Sequence, residues 1–195
     1  MDTKKGFTLI ELLIVVGILA ILATLTVLIL NPAQLFAQAR DTQRISDLGV
    51  LKSAISFYLS TVADPKMSPN TVGNVCGDTN NYWATASTSV EYFQGNPTRS
   101  LQTGREVDNS GWVPINFTDI PDGSPLSTLP IDPVRPNPAT RSYTYQCNDT
   151  AKTFEIDANM ESVRYASGGA SDVESTDGGD NENAYEIGND PGLDL

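Results

Sequence analysis

Apolar and polar positions divide this chain into stretches of quite different texture. Phe7 to Leu30 is a run of 24 residues, apolar throughout except for Thr8, Glu11, Gly17, Thr24 and Thr26. As a helix rising ~1.5 Å per residue it would be about 36 Å long, enough to cross a bilayer. Lys4 and Lys5 stand just before it and place its start on the cytoplasmic side. Asn31-Pro32 then interrupts the pattern. The proline predicts either a kink or a new helix with Pro32 at its first position. Beyond it Ile45, Leu48, Leu51, Ile55, Tyr58 and Leu59 recur at spacings of three and four, flanked by Arg40, Asp41, Arg44, Asp47 and Lys52. This is one apolar stripe on an amphipathic helix, and Asp64-Pro65 is expected to end it.

The remaining chain reads as a small head. Residues 66–111 are rich in Asn, Thr, Ser and Gly and predict an irregular connection with one short helix near Ser89–Phe93. Trp112-Val113-Pro114-Ile115-Asn116-Phe117 reads as a short edge strand, because proline is tolerated at sheet edges. Tyr143–Cys147 and Thr153–Asp157 alternate apolar and polar positions around a polar turn, which predicts an antiparallel hairpin with Tyr143, Tyr145 and Cys147 on one face. The predicted fold class is α+β: a long N-terminal helix, half transmembrane and half amphipathic, packed on a small antiparallel sheet. The boundaries are 1–6 leader, 7–30 transmembrane helix, 31–64 amphipathic half, 65–165 head and 166–195 acidic tail.

Charge narrows the function. Among 195 residues, 24 are acidic and 12 basic, a net charge of −12, and no histidine is present. An acidic surface disfavours nucleic acid as a partner, and the missing histidine removes the commonest general base. Carboxylates such as Asp119, Asp122, Asp132, Glu155 and Asp157 are the remaining candidates for acid–base work. No nucleophile elbow, metal-binding helix or phosphate loop accompanies them, and the expectation is a chain without enzymatic activity. Cys76 and Cys147 both lie beyond the predicted span. In an oxidising compartment they are expected to pair, closing a loop of about 70 residues and contributing roughly 4 kcal/mol. The alternative is two buried thiols.

Glu11 is the anomaly of the first run. A carboxylate in hydrocarbon costs a few kcal/mol unless partnered, and the run holds no basic residue. A secretory signal peptide cleaved near Ile21-Leu22-Ala23 would be shorter and would not be expected to retain an acid. A plain anchor would have Glu11 snorkel to the headgroups. The stretch Gly6-Phe7-Thr8-Leu9-Ile10-Glu11-Leu12-Leu13-Ile14-Val15-Val16 resembles the processing and assembly signal of type IV pilins and type II secretion pseudopilins. The resemblance implies a pilin-like fold and cleavage between Gly6 and Phe7 by a prepilin peptidase, with N-methylation of Phe7. It implies that Glu11, fifth in the mature chain, pairs with a neighbour's N-terminal amine in a helical filament. The implied partners are other copies of the chain, the peptidase, an inner-membrane assembly platform with its motor, and the bilayer before assembly. The implied location is a single pass through the inner membrane with the head outside the cytoplasm, followed by a periplasmic or extracellular filament.

Two later segments add to this. Leu129-Pro130-Ile131-Asp132-Pro133, followed by Tyr143-Thr144-Tyr145, resembles the stretch before the sheet of the major pseudopilin, with Val134-Arg135 in place of Trp-Gly. Read by itself it is a pinned turn. The tail from Ala166 to Leu195 carries eight acids, six glycines and no Lys or Arg. Such oxygen-rich loops suit calcium, and Asp177–Ala184 also looks like the calcium loop of major pseudopilins, with Tyr185 where that loop has its closing Asp. The candidate ligands are Asp172, Asp177, Asp180 and Glu186; the plain alternative is a solvated acidic tail. The sequons Asn116-Phe117-Thr118 and Asn148-Asp149-Thr150 are assigned no role. The leading expectation is a filament subunit. The alternative is a membrane-anchored binding or adhesion head displayed on or beside such a filament, with Tyr82, Trp83, Tyr92 and Trp112 as contacts.

Overall fold

A computed structural model describes residues 6–68, 76, 81–85, 98–100, 104–134 and 141–195. Helix α1 spans Leu9–Leu30, and Asn31, in the left-handed region at φ 40°, ends it. Helix α2 spans Pro32–Thr61 with Pro32 in its first turn, where the missing N–H leaves no bond unmade. The interruption is therefore a break between two helices. Val62 is extended and closes α2, two residues ahead of the Asp64-Pro65 pair expected to do so.

Among the described residues five strands follow: β1 Asn81–Ala84, β2 Thr98–Ser100, β3 Tyr143–Asn148, β4 Thr153–Ala158 and β5 Tyr185–Gly188. They form one sheet in the order β2-β1-β3-β4-β5. The hairpin β3–β4 is antiparallel, with Tyr145 opposite Ile156 and Cys147 opposite Phe154. Strands β1 and β5 flank it antiparallel, and β2 adds to β1 in parallel at one edge. The long helix on a small, mainly antiparallel sheet is the expected α+β, pilin-like arrangement.

The period of two along β3 and β4 sorts their side chains. Tyr143, Tyr145, Cys147, Phe154, Ile156 and Ala158 enter the core with Leu48, Leu51, Ala54, Ile55 and Tyr58 of α2. Each large apolar side chain so buried contributes about 1.5–3 kcal/mol. Trp83, Trp112 and Phe117 complete this core, and the Phe117 ring meets Tyr58 edge-on with centroids 6.0 Å apart. Cys76 is joined to Cys147 by a disulfide, with Cα atoms 4.9 Å apart, tying the segment before β1 to the central strand.

Several local expectations differ from the fold. Residues 111–117 are not a strand: they are a buried irregular stretch leading into a 3-10 turn at Phe117–Asp119, held by a single bridge between Asp108 and Asn116. Trp112 packs inward and donates its indole N–H to the Pro130 carbonyl at 2.8 Å, so tertiary burial replaces ladder bonds. Strands β1 and β2 lie where an irregular connection was expected, and the helix expected at Ser89–Phe93 falls outside the described residues. Asp41 and Arg44 do not flank the apolar stripe in solvent; both are fully buried. The acidic tail is folded and supplies β5.

Candidate functional sites

At the N-terminus, Gly6, Phe7 and Thr8 precede the helix in extended chain, and Phe7 is 86% exposed. The Gly6–Phe7 peptide bond is thus free of helical hydrogen bonding. Thr8 caps α1: its hydroxyl accepts from Glu11 N–H at 3.3 Å, while its own N–H and hydroxyl donate to Glu11 Oε2 at 2.8 and 2.7 Å. This is a capping box, and it holds Glu11 at the first turn of the helix. Both Thr8 bonds converge on Oε2; among the described residues Oε1 accepts none.

Not one residue of α1 is buried. Leu9, Ile10, Leu12, Ile14, Ile18 and Leu22 lie on different sides of the helix, and all are exposed. Thr24 and Thr26 return their hydroxyls to the carbonyls of Ala20 and Leu22, each at 2.8 Å, so they offer no polar face either. A helix apolar all round must be covered by lipid or by other helices. By length and composition it qualifies as a candidate span.

Where α2 meets the head there is a buried ionic cluster. Arg44 donates from Nε and Nη2 to Asp132 at 2.7 and 3.0 Å and from Nη1 to Asp41 at 2.6 Å. Asp41 in turn accepts the N–H groups of Glu161 and Ser162 at 2.9 and 2.7 Å, just past the end of β4. Arg40 adds a two-bond contact to Glu161 at 2.7 and 2.5 Å. Burial opposes the Arg44 charge, and its bonds to Asp132 and Asp41 outweigh that, so the guanidinium pKa is raised. The Leu-Pro-x-Asp-Pro turn is therefore also a clamp: Asp132 accepts Val134 N–H at 2.8 Å, as a turn residue does, and binds Arg44 from the same side chain.

The outer face of the sheet, away from the core, carries Thr144 and Gln146 of β3, Glu155 and Asp157 of β4 and Glu186 of β5, all buried. The C-terminal segment lies across them. Asn181 N–H and Leu195 N–H donate to Glu186 Oε2 and Glu155 Oε2, each at 3.0 Å. A Cβ at Gly179 would collide with the Glu186 carboxylate, which is why the chain passes there as glycine. Burial, with repulsion among the neighbours, pushes Glu155 up to about 9, Glu186 to about 8 and Asp157 to about 7.

The expected calcium ligands do not converge. Asp172 binds Gly168 N–H, Ser175 N–H and the Ser175 hydroxyl within its own turn. Asp177 accepts Gly179 N–H and Glu186 N–H at 3.0 and 2.6 Å, and Asp180 is exposed. Of the four, Glu186 joins a carboxylate group, and its companions are Glu155 and Asp157. Alternation along β4 puts 155 and 157 on one face; the missing signal was β5, whose Tyr185-Glu186-Ile187 alternates apolar and polar positions over too few residues to mark a strand within an acidic tail.

Of the carboxylates considered for catalysis, Glu155 and Asp157 come together on the outer face of the sheet and the other three lie apart from them. Asp119 and Asp122 are exposed, and Asp132 is committed to Arg44. The aromatic contacts of an adhesion surface are not available: Tyr82, Trp83 and Trp112 are 3%, 0% and 0% exposed, and Tyr92 lies outside the described residues.

The family model of the prokaryotic N-terminal methylation motif matches residues 1–27. The chain carries a prepilin-type methylation motif. It covers residues 1–6, the capping box and most of α1, and stops short of the head. Neither the curated proteins nor the solved structures contain a match to the chain.

Proposed function

We propose that this chain is a structural subunit of a type IV pilus-like or type II secretion pseudopilus filament. It is inserted in the inner membrane with its head outside the cytoplasm, cut after Gly6 by a prepilin peptidase, N-methylated at Phe7, and polymerised through α1 by an inner-membrane platform and motor. The observation that carries this reading is α1 itself: 22 residues without a buried side chain, bearing one acid at the first turn. Lipid tails can cover the apolar surface, yet hydrocarbon offers a carboxylate nothing. A second copy offers both an apolar helix and, once the leader is removed, the Phe7 amine. Glu11 Oε1 is uncommitted among the described residues and suits that partner, while Oε2 stays on Thr8. Head-to-tail contacts of this kind do not close on themselves and so build fibres.

Mass spectrometry of the mature N-terminus tests the class, with methylated Phe7 expected; any other N-terminus overturns it. Glu11→Ala is expected to leave membrane insertion intact and abolish filament assembly, read by sedimentation of sheared filaments. Normal assembly by that variant would remove the charge-pairing account.

A further inference from the structure

Helix α1 ends at Leu30 and α2 begins at Pro32, so whatever stands beside the first turn of α2 stands at the edge of the span. The 22 residues of α1 rise about 33 Å, which fills a hydrocarbon layer of ~30 Å. The headgroup layer beyond it is about 5–7 Å deep, or roughly four residues of helix. Measured along the chain, Asn31 to Phe36 lie in that layer or at its rim. Leu35 and Phe36 are 50% and 66% exposed, on sides of α2 turned away from its buried Ala37, Asp41 and Leu48.

The head reaches the same level through one turn. Val163 N–H donates to Gln34 Oε1 at 3.1 Å. Asp41 pins the turn from behind by accepting Glu161 N–H and Ser162 N–H, and the N–H groups of Tyr165 and Ala166 close it onto the Ser162 carbonyl. Val163 sits at the corner of this fixed turn and is 73% exposed. Turn corners favour polar residues and glycine. Arg164, next in the chain, is exposed and forms no ion pair among the described residues. The neighbouring acid, Glu161, is held by Arg40. A single exposed apolar side chain is ordinary. Here three stand at one level around one helical turn, continuous with a helix whose whole surface needs an apolar cover.

We propose that Leu35, Phe36 and Val163 form a collar by which the head rests on the membrane surface, with Arg164 meeting lipid phosphates. Lipid is the occupant because the collar begins within one helical turn of the span and repeats the usual interfacial pairing of an aromatic and a basic residue beside apolar ones. The inference rests on the membrane insertion proposed above and adds that the head itself touches the bilayer. The contact fixes the orientation of the head before assembly, and it has to be given up when the chain leaves the membrane.

The test uses the full chain in vesicles of phosphatidylethanolamine and phosphatidylglycerol, with lipids brominated partway along the acyl chains as fluorescence quenchers. Native Trp83 and Trp112 are buried in the head and supply a constant background. Val163→Trp, Leu19→Trp and Ser60→Trp each add one reporter at an exposed position. Val163→Trp should emit at shorter wavelength and be quenched, as Leu19→Trp in the middle of α1 is. Ser60→Trp, at the far end of α2, should not be quenched. Arg164→Gln, added to Val163→Trp, should weaken docking roughly fivefold, as expected for one basic residue at an anionic surface; no change overturns the role of Arg164. Quenching at Leu19→Trp without quenching at Val163→Trp overturns the collar and leaves the span standing. Quenching at neither overturns both. A blue shift at Val163→Trp without quenching by bromine means that a second copy covers it, and equal quenching at Ser60→Trp means that the contact is unspecific; either result overturns the proposal.

Discussion

Arg44 and Asp132 meet across 88 positions of sequence, Nε to Oδ2 at 2.7 Å, with neither side chain reaching solvent. The pair joins the middle of α2 to the turn ahead of β3. It sets how the head sits on the helix that roots it, since sliding either element strands two charges. Replacing Asp132 with Ala leaves Arg44 buried on Asp41 and a longer contact to Glu161 at 3.6 Å. The expected loss is about 3 kcal/mol, at the lower end for a broken buried pair because Arg44 keeps Asp41. Chemical denaturation of the full chain in detergent, followed by tryptophan fluorescence, measures it.

Glu161 sets a pH dependence on the acid side. The hydrogen bonds from Arg40 lower its pKa below the usual carboxylate value. A depressed folded-state pKa means the unfolded chain binds the proton more readily. The stabilisation is therefore complete above the unfolded value of about 4.5 and lost as pH falls through the folded one. Glu161→Gln should flatten this acid limb and change stability little below it. Melting curves of both proteins between pH 3 and 6 decide the matter; parallel curves would show that the pair contributes nothing.

The disulfide closes a loop of 71 positions between Cys76 and Cys147. Cys76→Ser with Cys147→Ser is expected to cost roughly 4 kcal/mol, mainly through the freedom restored to the unfolded chain. Reduction of the wild type should lower its stability to that of the double variant. Agreement between the two, in denaturant titrations with and without reductant, is the measurement.

Much of the frame was legible in sequence. The all-round apolar run, the break at Asn31-Pro32, the stripe on α2 and the β3–β4 hairpin are local patterns whose periods declare them. What misled was local chemistry read without its partners. Trp112 and Pro114 suggested an edge strand, yet the core draws residues 111–117 in as irregular chain. Asp41 and Arg44 flank the apolar stripe in sequence, and a charge pattern does not reveal that a third residue 88 positions on buries them. Tyr82 and Trp83 passed for exposed aromatics in a polar stretch, where they form an inner strand.

The N-terminal 30 residues determined their own role by themselves. The Thr8–Glu11 capping box and the length of the apolar span depend on near neighbours in the chain, as does the cleavage proposed between Gly6 and Phe7. The head is different. Which acids are buried, which pair with Arg44 and which gather on the outer face of the sheet depend on contacts between residues up to 121 positions apart. Electrostatics in a dry interior follows distance in space, and only the tertiary structure sets that distance. The sequence counted the carboxylates of the tail; the fold selected Glu186 from them and placed it beside Glu155 and Asp157.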